Sequence, residues 1–166
     1  DQAMTTPAFE CLKIPTAMPK PRKLRWTVLT DFSIPCAFLE NFLELWVDVI
    51  DQAKHADHVA TMGRLSAEQL IKKNNVYRKF GIPVFTGGIP FELAYLQKQV
   101  EPFFARMPEL GFTGVEISAD SIPPIPRDER TRLIKLARKY GLEVFTEIGE
   151  KLGDTAIAAR EAINTI

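Results

Sequence analysis

The stretch RKFGIPVFTGG, residues 78–88, has two later counterparts that align with it without a gap, PELGFTGVEIS at 108–118 and RKYGLEVFTEI at 138–148. Their glycines, Gly81, Gly111 and Gly141, lie thirty residues apart. In each stretch, a helix-like segment ends at a glycine that can take the left-handed conformation of a helix C-terminus, and a short run of β-forming residues begins at once. The period therefore predicts a repeated βα unit.

The rest of the chain extends this repeat. Apolar residues recur at spacings of three and four at Leu39, Phe42, Leu43 and Trp46, as expected of a helix that packs on a core. Strands that alternate with helices pair in parallel through right-handed crossovers. We predict strands near 26–31, 57–62, 82–86, 112–118 and 142–148, and helices at 36–54, 66–80, 90–110, 127–140 and 154–165.

A parallel sheet of this kind is either an open doubly wound sheet or part of an eight-stranded barrel. In GVEIS, residues 114–118, Val115 and Ile117 alternate with Glu116 and Ser118. An open sheet carries helices on both faces, where a mid-strand carboxylate would be costly, whereas polar groups near the carboxyl ends of barrel strands line an active-site mouth. We therefore predict an α/β fold of the (β/α)8 TIM-barrel type, with only about five βα units in this chain.

Composition and charge exclude several classes of protein. The 166 residues, 46% of them hydrophobic, suffice for one core. The 21 basic and 21 acidic residues leave no net charge to attract a nucleic acid or an anionic membrane. The 2 cysteines are too few for a disulfide scaffold, and no apolar run is long enough to span a bilayer. We expect a soluble protein of a reducing, cytoplasmic environment.

The chain is predicted to have two regions. Prolines at 7, 15, 19 and 21 disfavour regular structure, so we expect residues 1–23 to form an extended N-terminal arm and residues 24–166 a partial barrel domain. Met4 is the expected natural start, with residues 1–3 left over from expression. The arm ends in a basic cluster that contains Arg22, and such a cluster is usually a solvated edge.

Three acidic residues end predicted strands and would therefore meet at one rim of a barrel. Glu116 and Glu147 end the fourth and fifth strands, and Asp31 ends the first. Adjacent carboxylates suit a hard divalent cation such as Mg²⁺. Each glutamate could equally pair with a nearby lysine or arginine, and Asp31 could cap a turn or a helix. The spacing alone leaves both interpretations open.

The double glycine Gly87–Gly88 precedes a predicted helix. Glycines at a helix start let backbone N–H groups approach a phosphate closely, but Glu92 in the first turn would repel one, so the pair is weak evidence by itself. A spacing of three would let His55 and His58 bind one metal only if both faced the same side of a helix. The segment around them is instead typical of the start of a strand, so we expect surface histidines. Cys36 has no histidine partner in the sequence and is expected to be structural.

Four strings, in this order and at these spacings, resemble the phosphosulfolactate synthase family: KPRKLRWTVLTD, FTGGIPFELAYLQ, ELGFTGVEISADSI and VFTEIGEK. The resemblance runs over roughly residues 19–151. It implies a (β/α)8 barrel and a lyase that adds sulfite to phosphoenolpyruvate, usually with magnesium. The product, phosphosulfolactate, is an early intermediate of coenzyme M biosynthesis.

The resemblance also implies roles for the residues that match the family's motifs. Glu116 and Glu147 would bind the metal, and Arg22, Gly87 and Gly88 would bind a small anionic substrate. The family typically carries a lysine in its second strand. We expect Ala60 at that position and Phe32 where a lysine often follows the first strand. The residues expected to be catalytic are Asp31, Glu92 and Ser118.

Two hypotheses follow for the function. The first is a phosphosulfolactate synthase-like enzyme that adds sulfite or a related nucleophile to phosphoenolpyruvate with a divalent metal. The second is a family relative with an altered substrate or lost catalysis that acts as a binding or structural protein. Because a sheet of five strands leaves two open edges, we also expect a homo-oligomer.

Overall fold

The computed structural model describes residues 8–15 and 18–147, which form a single parallel sheet with helices packed against it. The strands are β1 (Val28–Asp31), β2 (Gln52–His55), β3 (Val84–Thr86), β4 (Gly114–Ile117) and β5 (Glu143–Thr146). The helices are α1 (Cys36–Trp46), α2 (Ala67–Lys79), α3 (Gly88–Leu96), α4 (Val100–Glu109) and α5 (Arg127–Lys139). The predicted helix at 154–165 lies outside the described residues.

The order of the strands decides between the two predicted folds. The five strands lie side by side in chain order, and all four pairings are parallel. Right-handed crossovers that always advance in one direction place their helices on a single face of the sheet, whereas a doubly wound sheet reverses direction. The fold is therefore α/β of the (β/α)8 barrel type, represented in the described residues by five strands.

The register of the strands separates two faces. Thr30, Lys54 and Phe85 are aligned across β1, β2 and β3, and so are Asp31, His55 and Thr86. Successive residues of a strand point to opposite faces. Asp31 contacts Tyr77 and Lys73 of α2, so the second row faces the helices, and the first row lies on the inner face, which in a barrel is the interior.

The predicted glycine repeat is confirmed as a repeated helix ending. Gly81, Gly111 and Gly141 have φ of 67°, 86° and 75°. After each of them, the next N–H donates to a carbonyl five residues earlier, for example from Ile82 to Tyr77 at 3.0 Å. This Schellman motif satisfies carbonyls that a helix end leaves without partners and turns the chain directly into the next strand.

The prediction for the second strand is wrong. It was expected at 57–62 after a helix over 36–54, but α1 ends at Trp46, a 3-10 turn covers Val47–Val49, and β2 follows at Gln52. The apolar spacing of α1 continues through the turn and hides the helix end. β2 itself carries Gln52 and Lys54 on its inner face and so lacks the alternation of a half-buried strand. Ala60 begins a π-helical turn instead.

The helix predicted at 90–110 is two helices, α3 and α4. They are separated at Lys98, which has a φ of 57°. Pro102 lies in the first turn of α4, where its missing N–H is tolerated, and it offers no hydrogen bond to the carbonyl of Lys98, which favours a break between the two helices at this point. The core lies between the sheet and the helices, and its largest members include Phe91 and Phe104, whose rings stack with centroids 6.1 Å apart.

Candidate functional site at the carboxyl ends of the strands

A lysine and two glutamates meet at the carboxyl edge of the sheet on its inner face. Lys54 Nζ of β2 lies 2.7 Å from Glu116 Oε2 of β4 and 3.7 Å from Glu147 Oε1, just after β5. The Glu116 side chain is only 5% exposed, and those of Lys54 and Glu147 are 19% and 29% exposed. The structure thus brings the two predicted metal ligands together, and the ammonium group of Lys54 lies between them.

Burial and the lysine act in opposite directions on Glu116. Desolvation raises the pKa of the Glu116 carboxyl above its usual range, while the hydrogen bond and charge of Lys54 lower it. The neighbouring Glu147 carboxylate raises it further. The net shift is upward, so Glu116 takes up a proton more readily than a solvated glutamate would. A buried carboxyl of this kind is suited to proton exchange.

The double glycine permits close packing around this group. The Gly88 N–H donates to Glu116 Oε1 at 2.8 Å, and the Gly87 N–H donates to the carbonyl of His55 at 2.9 Å. A Cβ on Gly88 would overlap the side chain of Ser118. Both N–H groups are therefore engaged within the protein, and Gly88 orients Glu116. The predicted substrate contact through these two backbone groups stays a prediction that would require them to change partners.

Glu92 and Ser118 form a second polar contact next to the first. Ser118 Oγ donates to Glu92 Oε1, which also accepts from the Asp120 N–H at 2.8 Å. Glu92 Oε2 accepts from the Ser121 N–H at 2.9 Å. Glu92 is 2% exposed. It therefore anchors the loop after β4, whose backbone N–H groups compensate its buried charge.

Asp31 does not join this group, because it faces the helices. Its Oδ2 accepts from Tyr77 Oη at 2.6 Å and pairs with Lys73 Nζ at 2.9 Å, and its Oδ1 accepts from the Ile34 N–H at 2.7 Å. Asp31 is 1% exposed. Burial and the Asp31 charge raise the pKa of the Tyr77 hydroxyl, which stays a donor. Through these contacts Asp31 stabilises the packing of α2 and of the loop after β1 on the sheet.

Arg22 lies at the opposite, amino-terminal edge of the sheet. Its guanidinium pairs with Asp51 Oδ1 at 2.8 Å, and the Asp51 carboxylate also accepts from the Thr27 N–H at 2.8 Å. Asp51 directly precedes β2 and Thr27 directly precedes β1. Arg22 thus ties the arm to the starts of two strands, and the structure does not bring it to the carboxyl-edge group.

The expectation of two surface histidines is wrong for His55. His55 is 3% exposed on the helix face of β2 and packs edge-on against Phe112, with ring centroids 5.1 Å apart. Burial lowers its pKa to about 4, and the nearby Lys73 lowers it too, against the raising effect of Asp31. His58 is partly buried at the carboxyl edge, with its imidazole against Gly87. Only His58 of the two reaches the site.

The residues at this edge do not fit a divalent cation as they are arranged. Within residues 8–15 and 18–147, no group of three or more histidine, cysteine, aspartate or glutamate side chains is placed to hold a metal ion. The two carboxylates near each other, Glu116 and Glu147, share the ammonium group of Lys54. A cation such as Mg²⁺ takes several oxygen ligands and would have to displace that lysine. Magnesium binding stays a prediction.

Lys54 is a site residue that the sequence analysis did not identify. The error came from the placement of the second strand, which put Ala60 where the family's lysine was expected. In the structure the second strand does carry a lysine on its inner face. The sequence did contain a clue, because Lys54 is a lysine in the short segment between the end of α1 and Asp57.

The fold and the site define a class of protein, a (β/α)-barrel protein whose ionisable side chains converge at the carboxyl edge of the strands. In barrels of this type, that edge is where active sites lie. The family model of (2R)-phospho-3-sulfolactate synthase (ComA) matches residues 15–166. The chain belongs to this family.

Two relatives support the assignment. The chain is 36% identical over 128 residues to the phosphosulfolactate synthase of Methanocaldococcus jannaschii, which covers 77% of this chain and 50% of the relative. It is 32% identical over 144 residues to the phosphosulfolactate synthase of Methanothermobacter thermautotrophicus, which covers 87% of this chain and 54% of the relative. The chain spans about half the length of the curated relatives it matches.

No helix in the described residues is long and apolar enough to cross a membrane.

Proposed function

We propose that this chain carries a substrate-binding edge of a phosphosulfolactate synthase, where sulfite or a related nucleophile adds to phosphoenolpyruvate. The observation that carries the proposal is the Lys54 ammonium group, held at 2.7 Å from the buried Glu116 at the carboxyl edge of the barrel strands. A lysine at this position offers a compact cation to the phosphate or carboxylate of a small anionic substrate. Membership of the family supports that choice of substrate.

The Lys54–Glu116 pair allows an anionic substrate to bind at a partly buried site. When a phosphate or carboxylate contacts Lys54, the lysine can leave Glu116, whose pKa is already raised by burial. Glu116 then takes up a proton, so the site does not bury an unpaired carboxylate. The Gly88 N–H and the Glu92-anchored loop hold the surrounding backbone in place during this exchange.

The test is an assay of phosphoenolpyruvate consumption that depends on sulfite, followed by phosphorus NMR. We expect sulfite-dependent turnover by the wild type. Lys54→Gln should raise the KM for phosphoenolpyruvate by about 10-fold or more, as loss of a charged hydrogen bond would. Lys98→Gln is the matched control, because Lys98 is exposed at the turn between α3 and α4. Absence of sulfite-dependent turnover in the wild type would contradict the proposal.

Two observations favour the second hypothesis, a relative with an altered substrate or lost catalysis. The N–H groups of Gly87 and Gly88 are both engaged within the protein, and Phe32, placed where the family often has a lysine, is 70% exposed. In that case phosphoenolpyruvate or another small anion would bind without sulfite-dependent turnover. Isothermal titration beside the assay separates the two hypotheses.

Self-association is a further part of the proposal. The exposed large apolar side chains concentrate between Phe9 and Met62, and they include Phe38, Leu45 and Trp46 of α1. Burying such side chains in a homo-oligomer would be favourable. Sedimentation velocity measures this directly, and a mass of one chain at micromolar concentration would contradict it.

A further inference from the structure

Two phenylalanine rings stack on the inner face of the sheet next to the Lys54–Glu116 pair. The rings of Phe85 on β3 and Phe145 on β5 have centroids 4.0 Å apart and planes that differ by 16°. Phe85 is only 4% exposed and is aligned in register with Lys54. Phe145 is aligned with Glu116. Each ring thus belongs to a residue that lies beside one member of the ion pair, and we call the stacked rings the aromatic floor.

Gly114 of β4 allows the two rings to meet, because β4 lies between their strands. A Cβ on Gly114 would lie 3.2 Å from both Phe145 Cε2 and Phe85 Cβ. Gly114 precedes Glu116 by two residues on the same face of β4, a separation of about 7 Å along the strand. The aromatic floor therefore fills the inner face one layer below the ion pair, on the side of the amino-terminal edge.

The ion pair and the aromatic floor offer different chemistry to a small molecule. The ammonium group of Lys54, whose side chain is 19% exposed, is a compact cation for a phosphate or a carboxylate. The rings have no hydrogen-bonding group, so an anionic group pressed against them would lose its hydration without compensation. An apolar carbon gains by the same contact.

Phosphoenolpyruvate has the matching division of chemistry. Its phosphate and carboxylate are attached to C2, and its methylene carbon C3 is the apolar end of the molecule. The anionic groups are therefore expected at Lys54 and the solvated rim, and C3 is expected against the rings of Phe85 and Phe145.

We propose that the aromatic floor determines the size of the substrate: it admits the bare methylene of a three-carbon enol phosphate and excludes a homologue with an alkyl group on C3. This inference rests on the proposed function. The substituents of C3 lie in the plane of the double bond and would meet the rings, whereas a nucleophile approaches C3 perpendicular to that plane. Phe85 and Phe145 therefore limit the length of the carbon chain without blocking the addition.

A comparison of phosphoenolpyruvate with its 3-methyl homologue, phosphoenolbutyrate, tests the proposal. With sulfite as the nucleophile, the kcat/KM of the wild type should be at least about 10-fold lower for the homologue, because an added methyl group would overpack a filled interior. In Phe145→Ala, which removes one ring, the ratio of the two kcat/KM values should shift by about 10-fold toward the homologue. Phe145→Leu keeps an apolar side chain and should shift the ratio in the same direction by less.

Phe103→Ala is the matched control. Phe103 is a partly buried phenylalanine that packs on Phe104 of α4, so its loss lowers stability without changing the inner face of the sheet. This variant should keep the wild-type ratio of kcat/KM values.

Two outcomes would overturn the inference alone. The first is a wild type that converts both substrates with kcat/KM values within about 3-fold of each other, a result that requires no variant to fold. The second is a folded Phe145→Ala or Phe145→Leu variant that keeps the wild-type ratio.

Isothermal titration separates this inference from the proposed function. If sulfite-dependent turnover is absent, the wild type should still bind phosphoenolpyruvate at least about 10-fold more tightly than phosphoenolbutyrate, and Phe145→Ala should lose that preference. That result would support the aromatic floor and reject the addition reaction. Equal affinities of the wild type for the two ligands would overturn the floor, and binding of neither ligand would overturn both proposals.

Discussion

Lys54 Nζ and Glu116 Oε2 lie 2.7 Å apart although β3 separates their strands. The lysine side chain crosses the end of β3 at the point where Gly87 has no side chain, since a Cβ there would lie 3.1 Å from Lys54 Cε. The pair therefore depends on the double glycine as much as on its own two charges. The same ion pair determines whether the carboxylates of Glu116 and Glu147 can bind another cation.

Removing the lysine should open the carboxylates to metal. In Lys54→Met, Glu116 and Glu147 lose the cation between them, so we expect Mg²⁺ to bind at least about 10-fold more tightly than to the wild type, as a charge-pair contribution of this size would give. Isothermal titration measures both affinities. Adding Glu116→Gln to Lys54→Met should abolish the gain. Equal affinities of Lys54→Met and wild type would show that the metal, if bound, does not compete with Lys54.

Gly88→Ala should destabilise the protein by about 1–3 kcal/mol, the usual cost of overpacking a filled site. The new Cβ would overlap Ser118 and lie 3.1 Å from Glu116 Oε1. Chemical denaturation measures the change in the free energy of unfolding. Gly63→Ala is the control, because nothing lies within 4 Å of its Cβ position, and it should change stability little. Equal values for the two variants would contradict the close packing.

Glu92→Gln should cost about 1–3 kcal/mol, because an amide would turn one donor toward N–H groups that need an acceptor. Glu92 accepts from Ser118 and from the Asp120 and Ser121 N–H groups. The same change at the exposed Glu109 should have little effect. Amide hydrogen exchange should also show faster exchange at Asp120 and Ser121 in the Glu92 variant. Unchanged exchange there would mean that Glu92 does not hold the loop.

Asp31→Asn should destabilise the protein by about 3–5 kcal/mol, since it leaves the buried Lys73 without a counter-charge and with the Ile34 carbonyl as an acceptor for its ammonium group. The two side chains are 0% and 6% exposed. Glu40→Gln breaks an exposed pair with Lys79 and should cost less than about 1 kcal/mol. A stable Asp31→Asn variant that has lost only activity would instead support the catalytic role predicted from the sequence. Thermal unfolding and the turnover assay, run together, distinguish these outcomes.

Buried His55 should make stability depend on pH. Its pKa is about 4 in the folded protein and about 6.5 when unfolded, so between these values the unfolded chain binds more protons. Stability is therefore fully present above pH 6.5 and is lost as the pH falls toward 4, by at most roughly 3 kcal/mol. His55→Leu removes this contribution and should flatten the profile over that window. Parallel profiles of wild type and His55→Leu would contradict it.

The errors around the second strand have a common origin. The glycines at 81, 111 and 141 act through local backbone geometry, and their three helix endings are as predicted. β2 has no such local signal, because its inner face carries Gln52 and Lys54, whose place in the sheet is stabilised by β1 and β3 and by the carboxylate of Glu116. A strand misplaced by a few residues then hid Lys54 and put His55 on the surface.

The sequence by itself determined the βα repeat and its parallel pairing, and the polar residues of the fourth strand favoured a barrel with Glu116 and Glu147 at one edge. The repeat follows from hydrophobic periodicity and glycine conformation, and the preference for a barrel from the alternation of Glu116 and Ser118 with apolar residues, all of which are properties of neighbouring residues. Only the tertiary structure decided what each polar side chain contacts. Asp31 turns to the helices, Arg22 lies at the opposite end of the sheet, and Lys54 bridges the two glutamates. The physical reason is that burial of a charge requires a partner, and such partners come from segments far apart in the chain.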